Sequence, residues 1–161
     1  YKGFHTDTAW TKIVTSDMQH ATSKTTFLAI GEEALWKAVE QVKVGNRIGH
    51  ISRVIQDHIE RVGGYKIVRT LVGHGVGKTL HEAPQVPGVL KDPLDSTPLL
   101  KVGMTLAIEI IYGEKTGAVV YKNDDGWSIA TKDGSLSSVF EHTIAITRDG
   151  PVVLTSPNAN D

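Results

Sequence analysis

Two glutamates stand inside apolar segments, where a charged side chain is costly to bury. Glu109 lies in the segment LAIEII and Glu141 in the segment VFEHTI. An ionised carboxylate that is buried without a partner is strongly destabilising, so each glutamate must meet a cation, a hydrogen-bond network or a proton. A sheet face open to water would solvate both groups instead. The glutamates alone do not decide between these two interpretations.

Two histidines and an aspartate favour the cation. His74 stands between two glycines directly after an apolar segment, and His81 follows seven residues later. Glycines on both sides of His74 let the backbone approach its neighbours closely, as a metal ligand requires. Asp7 adds a carboxylate between two threonines. Imidazole and carboxylate ligands together suit divalent Mn, Fe, Co or Zn, and carboxylates can bridge two such ions in hydrolases.

Two other motifs in this region lack a required residue. The segment GKT at 77–79 is like the end of a phosphate-binding P-loop, but that motif needs glycine where the chain has Val72. His81 and Glu82 do not begin a zinc-binding HExxH motif, because its second histidine is replaced by Gln85. Glu82 is predicted to pair with a nearby basic residue.

Two helices are predicted in the first half of the chain. Apolar residues from Leu28 to Val42 recur at helical spacing, and Gly45 is the expected stop. The second helix is predicted from Ile48 to Val62, with Asn46 as its N-cap and a double glycine at its end.

Elsewhere the spacing of apolar residues is that of strands. Strands are predicted at residues 4–15, 65–72, 104–112, 119–121, 127–131, 139–147 and 151–155. Residues 73–103 contain four prolines and are predicted to be a long functional loop. A strand, two helices and then a run of strands predict an α+β domain with helices on one face of a mainly antiparallel sheet.

Alternation along the strands determines which side chains share a face. Glu109 is expected on the same face as Ala107 and Ile111. His142 is expected to point away from Glu141 and is predicted to be structural.

Composition excludes several classes of site. The 161 residues include 17 basic and 18 acidic side chains, and the net charge of −1 gives no reason to expect nucleic acid or an anionic membrane as a partner. Cysteine is absent, which excludes disulfides and thiolate zinc sites within these residues. No apolar run approaches the roughly 18 residues of a membrane span. The first residues, YKGFH, carry neither an initiator methionine nor a signal peptide, so the sequence predicts a fragment of a cytoplasmic protein.

Four segments, in order, resemble the type I methionine aminopeptidases of the pita-bread metallopeptidase family. They are GFHTDT at 3–8, GHGVG and LHEAPQV within 73–86, KVGMTLAIE at 101–109, and a block from Trp127 through TKDGSLS to FEHTI at 140–144. The resemblance implies the α+β pita-bread fold, a mainly antiparallel curved sheet with helices on its outer face. Residues 1–161 would be the C-terminal portion of a single catalytic domain whose N-terminal half is incomplete.

The resemblance also assigns roles to individual residues. It implies that two divalent ions, Co, Mn, Fe or Zn, have these ligands: Asp7, His74, Glu109 and Glu141. Asp7 and Glu141 would bridge the ions. His81 would contact the substrate and steady the charge that develops on the scissile amide, and Glu109 would pass a proton to the leaving amine. Trp127 would pack near the substrate.

The function that this resemblance implies is removal of the initiator methionine from nascent proteins, with a metal-activated water attacking the first peptide bond. The protein would act on the N-termini of nascent proteins or peptides, as a monomer, without direct contact to nucleic acid or membrane. The family's first aspartate ligand would precede Tyr1. One metal site is therefore expected to be weakened, and the activity of this fragment to be impaired.

Two alternatives stay open. An Xaa-Pro peptidase of the same fold shares the histidine and glutamate motifs, but it has different residues after the last glutamate. The other alternative is a relative that has lost its metal ligands and only binds partners. All four predicted ligands are present here, which argues against that second alternative.

Overall fold

An antiparallel sheet of seven strands organises the part of the chain that the computed structural model describes, residues 1–14 and 21–156. Its strands are β1 (Ala9–Trp10), β2 (Lys66–Ile67), β3 (Gly73–Gly75), β4 (Glu82–Val86), β5 (Thr105–Gly113), β8 (Ser137–Thr147) and β9 (Gly150–Val153). A separate hairpin pairs β6 (Val119–Tyr121) with β7 (Ile129–Thr131). The order in the sheet is β1-β8-β5-β3-β4, with β2 paired to β5 and β9 paired to β8.

Two helices lie between β1 and β2 along the chain. They are α1 (Ala21–Val39) and α2 (Ile48–Gln56), and α2 continues as π-helical turns over Asp57–Val62. The second predicted helix thus has the predicted extent, although its last turns are wider than an α-helix. A short 3-10 helix occupies Leu94–Ser96. Within the described residues, no helix has the length and apolar character to cross a membrane.

The start of α2 differs from the prediction. Arg47, not Asn46, is the N-cap residue, and the Asn46 side chain donates instead to the Gln41 carbonyl at 2.9 Å. The Gly49 N–H in the first turn donates to Thr97 Oγ1 at 3.0 Å. A hydroxyl from a distant loop therefore satisfies one of the N–H groups that a helix start leaves unpaired.

The helices cover one face of β5 and β8, and the two glutamates lie on the opposite face. Buried side chains of the covered face are Leu106, Ile108, Ile110, Tyr112, Phe140, Ile144 and Ile146. A Cβ at Gly31 of α1 would overlap with Tyr112 and Phe140, so the helix lies directly on this face. Glu109 and Glu141 alternate with these residues and lie on the other face, as predicted.

The central strands match their predicted ranges, whereas three predictions are wrong in extent. Only Ala9–Trp10 of the described residues 4–14 and Lys66–Ile67 of 65–72 pair as strands, and Thr15 lies outside the described residues. The residues before Ala9 bond to β8 through threonine side chains, so no backbone ladder forms there. Residues 73–103, predicted to be a loop, contain the β3–β4 hairpin and the 3-10 helix.

Candidate metal centre

The two glutamates face each other across the central strand pair. Glu109 of β5 and Glu141 of β8 are direct partners in the register. Glu141 is only 3% exposed, and its Oε1 is buried without a hydrogen-bond partner among the described residues. Burial, and after it the charges of Glu109 and Asp7, raises the pKa of Glu141 to about 8. Burial, and then the charge of Asp7, raises the pKa of Glu109 to about 7. Three carboxylates therefore lie close enough together for their charges to raise the pKa of Glu109 and Glu141.

His74 presents one ring nitrogen to this site. It lies on β3, paired with Ala107 of β5, and it is buried. Its Nδ1 is 2.9 Å from the Gly75 carbonyl, which can only accept, so Nδ1 carries the proton. Nε2 lies 3.9 Å from Asp7 Oδ2 and is the ring nitrogen that faces the carboxylate. A histidine that is oriented in this way through its second nitrogen is typical of metal sites.

The glycines beside His74 are required by space. A Cβ at Gly73 would overlap with the Ala107 carbonyl oxygen, and a Cβ at Gly75 would overlap with the Ala83 carbonyl oxygen. Both obstacles are backbone atoms of neighbouring strands. The predicted close approach of the backbone on both sides of His74 is therefore confirmed.

His81 lies on the turn that joins β3 to β4. Its ring is 4.3 Å from the ring of His74, edge to face. One donor atom from each of Asp7, His74 and His81 lies within 4.8 Å of the others, close enough for a shared cation. The geometry thus allows His81 to be a ligand as well as the substrate contact that the sequence predicts.

Glu82 organises the turn that carries His81. Its carboxylate accepts hydrogen bonds from the Thr79 N–H at 2.8 Å and the Thr79 hydroxyl at 3.1 Å. The Thr79 backbone bond, followed by the hydroxyl bond, lowers the pKa of Glu82. A Cβ at Gly77 would lie 2.9 Å from Glu82 Oε2, so the turn closes tightly on this carboxylate. The predicted pairing of Glu82 with a basic residue is replaced by this bond to Thr79.

Threonines hold the first segment against β8. The Asp7 N–H donates to Thr143 Oγ1 at 2.8 Å, and the Thr143 hydroxyl donates to the Asp7 carbonyl at 2.7 Å. The Thr8 hydroxyl donates to the Glu141 carbonyl at 2.8 Å. Sequence reasoning missed these threonines as parts of the site. The signal that could have found them is their place beside Asp7 in TDT and beside Glu141 in EHT.

A cleft of about 820 Å³ opens beside the candidate ligands. Among its lining residues are His74, His81 and Glu109, together with Trp127 in the loop that joins β6 to β7. Trp127 is 85% exposed, so its ring is free to meet another molecule. A cleft of this volume accommodates a small ligand or the first residues of a peptide.

The donor set fits a divalent cation. Carboxylates and imidazoles converge without any thiolate, which suits hard to borderline ions rather than soft ones. The buried Glu141 oxygen without a partner is the group that such a cation would satisfy. His81 and the half-buried Glu109 stand at the open side of the same site, where they can reach a bound substrate.

Comparison with known sequences places these features in a family. The model of metallopeptidase family M24 matches residues 1–148. A methionine aminopeptidase of Aquifex aeolicus is 39% identical over 155 residues, which are 96% of this chain and 58% of the relative. Methionine aminopeptidase 1 of Bacillus subtilis is 41% identical over 154 residues, 95% of this chain and 59% of the relative. The chain therefore spans about three fifths of the length of these curated relatives.

Solved structures agree with the sequence comparison. A methionine aminopeptidase from Thermotoga maritima superposes with a TM-score of 0.86 at 40% identity, covering 97% of this chain and 60% of that one. The enzyme from Rickettsia prowazekii has a TM-score of 0.88 at 29% identity with the same coverage. The prolidase of Pyrococcus horikoshii has a TM-score of 0.67 at 25% identity, covering 97% and 37%. The predicted resemblance and the predicted α+β pita-bread fold are confirmed.

Proposed function

Because this chain belongs to metallopeptidase family M24, we propose that the protein is a methionine aminopeptidase that removes the initiator methionine from nascent proteins. The observation that carries the proposal is the group of donor atoms from Asp7, His74 and His81, which lie within 4.8 Å of one another beside a peptide-sized cleft. The higher identity to methionine aminopeptidases than to prolidases supports this substrate class.

Four residues would hold two divalent ions, Co, Mn, Fe or Zn: Asp7, His74, Glu109 and Glu141. When bound, such ions supply a water that ionises near neutral pH and polarise the peptide carbonyl. Asp7 and Glu141, which lie on adjacent segments of the sheet, would be the bridging carboxylates. Burial, and after it the charges of Glu109 and Asp7, raise the pKa of Glu141, so a bound cation would stabilise the ionised form of this carboxylate.

Three side chains would handle the substrate. His81 is exposed on its turn and can donate a hydrogen bond to the scissile carbonyl as negative charge develops there. Glu109, which lines the cleft, would transfer a proton to the leaving amine. Trp127 offers an apolar ring in the same cleft for the substrate to pack against.

The extent of the chain bears on how active it is. We propose that residues 1–161 are the C-terminal portion of a single catalytic domain, in keeping with the share of the relatives that they span. A weakened second metal site and impaired turnover then remain predictions for this chain. Action as a monomer and in the cytoplasm also remain predictions from the sequence.

Metal binding is the first test. Calorimetric titration with Mn²⁺ is expected to show binding to the unmodified chain and a loss of roughly 100-fold or more in affinity for Glu141→Ala. Glu32→Ala, an exposed carboxylate of α1, is the matched control and should bind like the unmodified chain. A folded chain that takes up none of Mn²⁺, Co²⁺, Fe²⁺ and Zn²⁺ would contradict the proposal and favour a metal-free binding module.

Peptide cleavage tests the substrate class. With Mn²⁺, release of methionine from a Met-Ala peptide should exceed release of alanine from an Ala-Pro peptide, and a chelator should abolish it. The ratio of the two rates decides even when both are slow. The fold shared with the prolidase makes an Xaa-Pro peptidase the second candidate, and a preference for Ala-Pro would establish it instead.

A further inference from the structure

One edge of β8 changes partner beside the candidate metal centre. The other edge pairs continuously with β5 from Ser137 to Ala145. On the edge in question, β1 pairs at Phe140 and Glu141, whereas β9 pairs from Ile144 onward. Thr143 therefore stands in the gap between two neighbours, where neither supplies a complete backbone ladder.

Side-chain hydroxyls fill this gap. The Thr143 N–H donates to Thr155 Oγ1 at 3.1 Å, and the Thr143 carbonyl accepts from the Leu154 N–H at 2.8 Å. The backbone of Thr143 is thus bonded toward the β9 side. Its hydroxyl is bonded toward Asp7, accepting from the N–H at 2.8 Å and donating to the carbonyl at 2.7 Å.

The Thr143 hydroxyl holds both polar groups of the Asp7 backbone at once. Thr143 is 0% exposed, so water cannot substitute for the hydroxyl. The register of β1 with β8 ends at Ala9, so Asp7 has no strand ladder to hold it. Asp7 nevertheless brings its carboxylate to within 3.9 Å of His74 Nε2, a placement that depends on where its backbone is held.

We propose that Thr143 is a positioning residue for the metal site, which holds the Asp7 backbone so that the carboxylate meets His74. The proposal rests on the proposed function, because it assigns Asp7 to a metal ion. Thr143 does not touch the ion or the substrate, and it acts only through Asp7. Removing its hydroxyl leaves the β5–β8 ladder and the bond of Thr8 to Glu141 in place but removes both hydrogen bonds that the Asp7 backbone makes to β8.

Three variants separate positioning from ordinary stability. Thr143→Val keeps the shape and removes the hydroxyl, whereas Thr143→Ser keeps the hydroxyl. Thr97→Val is the matched control, because the Thr97 hydroxyl likewise accepts from a backbone N–H, at 3.0 Å, and donates to a carbonyl, at 2.7 Å, but at the start of α2. Thr143→Cys, with a weaker donor and acceptor, serves if Thr143→Val does not fold.

Two measurements on the full chain are made for each variant, Mn²⁺ affinity by calorimetry and exchange of the Asp7 amide hydrogen by NMR without metal. We expect Thr143→Val to bind Mn²⁺ roughly 10-fold or more weakly and to exchange the Asp7 amide at least about 10-fold faster. Thr143→Ser should stay within about threefold of the unmodified chain in both, because it retains the hydroxyl. Thr97→Val should leave both unchanged.

The outcomes distinguish this inference from the proposed function. An unmodified chain that binds Mn²⁺, with Thr143→Val equal to it in affinity, would overturn the inference alone. A Thr143→Ser variant as weak as Thr143→Val would also overturn it, because packing rather than the hydroxyl would then matter. An unmodified chain that binds none of Mn²⁺, Co²⁺, Fe²⁺ and Zn²⁺ would overturn the proposed function, and the inference with it.

Discussion

The two sides of the candidate site are built in different ways. The carboxylate strands, β5 and β8 with Glu109 and Glu141, are backed by two helices and register-paired over their length. The histidine turn, residues 77–82, is exposed from Lys78 onward and is held by hydrogen bonds from Thr79 to Glu82 and from the His5 N–H to the Gly77 carbonyl. The core therefore enforces the costly placement of like charges, whereas the groups that are proposed to meet a substrate lie at the surface. Burial in the core determines the placement of the carboxylates, whereas exposure to solvent leaves the histidine turn accessible to another molecule.

Among substitutions on the two sides of the site, the largest expected effect on stability is at Glu141. Its pKa rises from an ordinary value of 4.5 in the unfolded chain to about 8 in the fold, so the folded chain holds a proton that the unfolded chain releases. The free energy of unfolding of the metal-free chain should therefore fall as pH rises from about 4.5 to about 8. Glu141→Gln removes the charge and should stabilise the metal-free chain at pH 8.5 by up to about 5 kcal/mol, because the pKa rises from 4.5 to about 8 and each pKa unit is worth roughly 1.4 kcal/mol.

Chemical denaturation in the presence of a chelator, at pH 5 and pH 8.5, measures this difference. At pH 5 the Glu141 carboxyl is largely protonated, so the variant and the unmodified chain should differ little. Equal differences at both pH values would show that packing, not charge, separates the two proteins. The same variant should bind Mn²⁺ more weakly, so that stability and binding change in opposite directions.

Gly75→Ala tests the close packing of β3, the strand that carries His74, against β4. A Cβ at this position would overlap with the Ala83 carbonyl oxygen, a backbone atom that cannot move without separating β3 from β4. We expect the free energy of unfolding to drop by about 1–3 kcal/mol, the usual cost of overpacking. Denaturation of the metal-free chain measures it.

Gly88→Ala is the control for that substitution. Its Cβ would lie 3.0 Å from Ile67 Cγ2 and 3.7 Å from Ile55 Cγ2, both ends of side chains that can adjust. If Gly88→Ala lowers the free energy of unfolding as much as Gly75→Ala does, the overlap with the Ala83 backbone is not the reason for the loss at Gly75.

The carboxylate strands were predictable because their signals are local. The strand around Glu109 follows from its apolar neighbours, and the side chains that share its face follow from strand alternation. The closeness of Glu109 to Glu141 is different, because it depends on register between segments 32 residues apart, and only the resemblance to a family implied it. Periodicity alone would have left both glutamates as candidates for a solvated face.

The threonine contacts could not be predicted from spacing. Thr143 bonds to Asp7 across 136 residues, and Thr97 bonds to Gly49 across 48. A threonine hydroxyl satisfies backbone groups at strand ends, at helix starts and in water alike, so its type does not indicate which of these it does. The predicted first strand at 4–15 was too long for the same reason, because the side chains there take over the bonding that a ladder would provide.

The smallest expected effect on stability is that of a substitution at His81, which tests whether the histidine turn binds the metal or the substrate. His81 is exposed and packs only against the edge of the site, so His81→Ala should change the free energy of unfolding by less than about 0.5 kcal/mol. His74→Ala, by contrast, removes a buried ring from β3 and should lose both stability and Mn²⁺ affinity. If His81 serves the substrate, His81→Ala should keep Mn²⁺ affinity within about 10-fold of the unmodified chain, a smaller loss than metal-supporting groups show. Calorimetry on both variants decides, because the donor atoms of Asp7, His74 and His81 lie close enough together for either role. An equal loss of Mn²⁺ affinity in the two variants would show that His81 is a metal ligand. The histidine turn would then belong to the metal-binding side of the site.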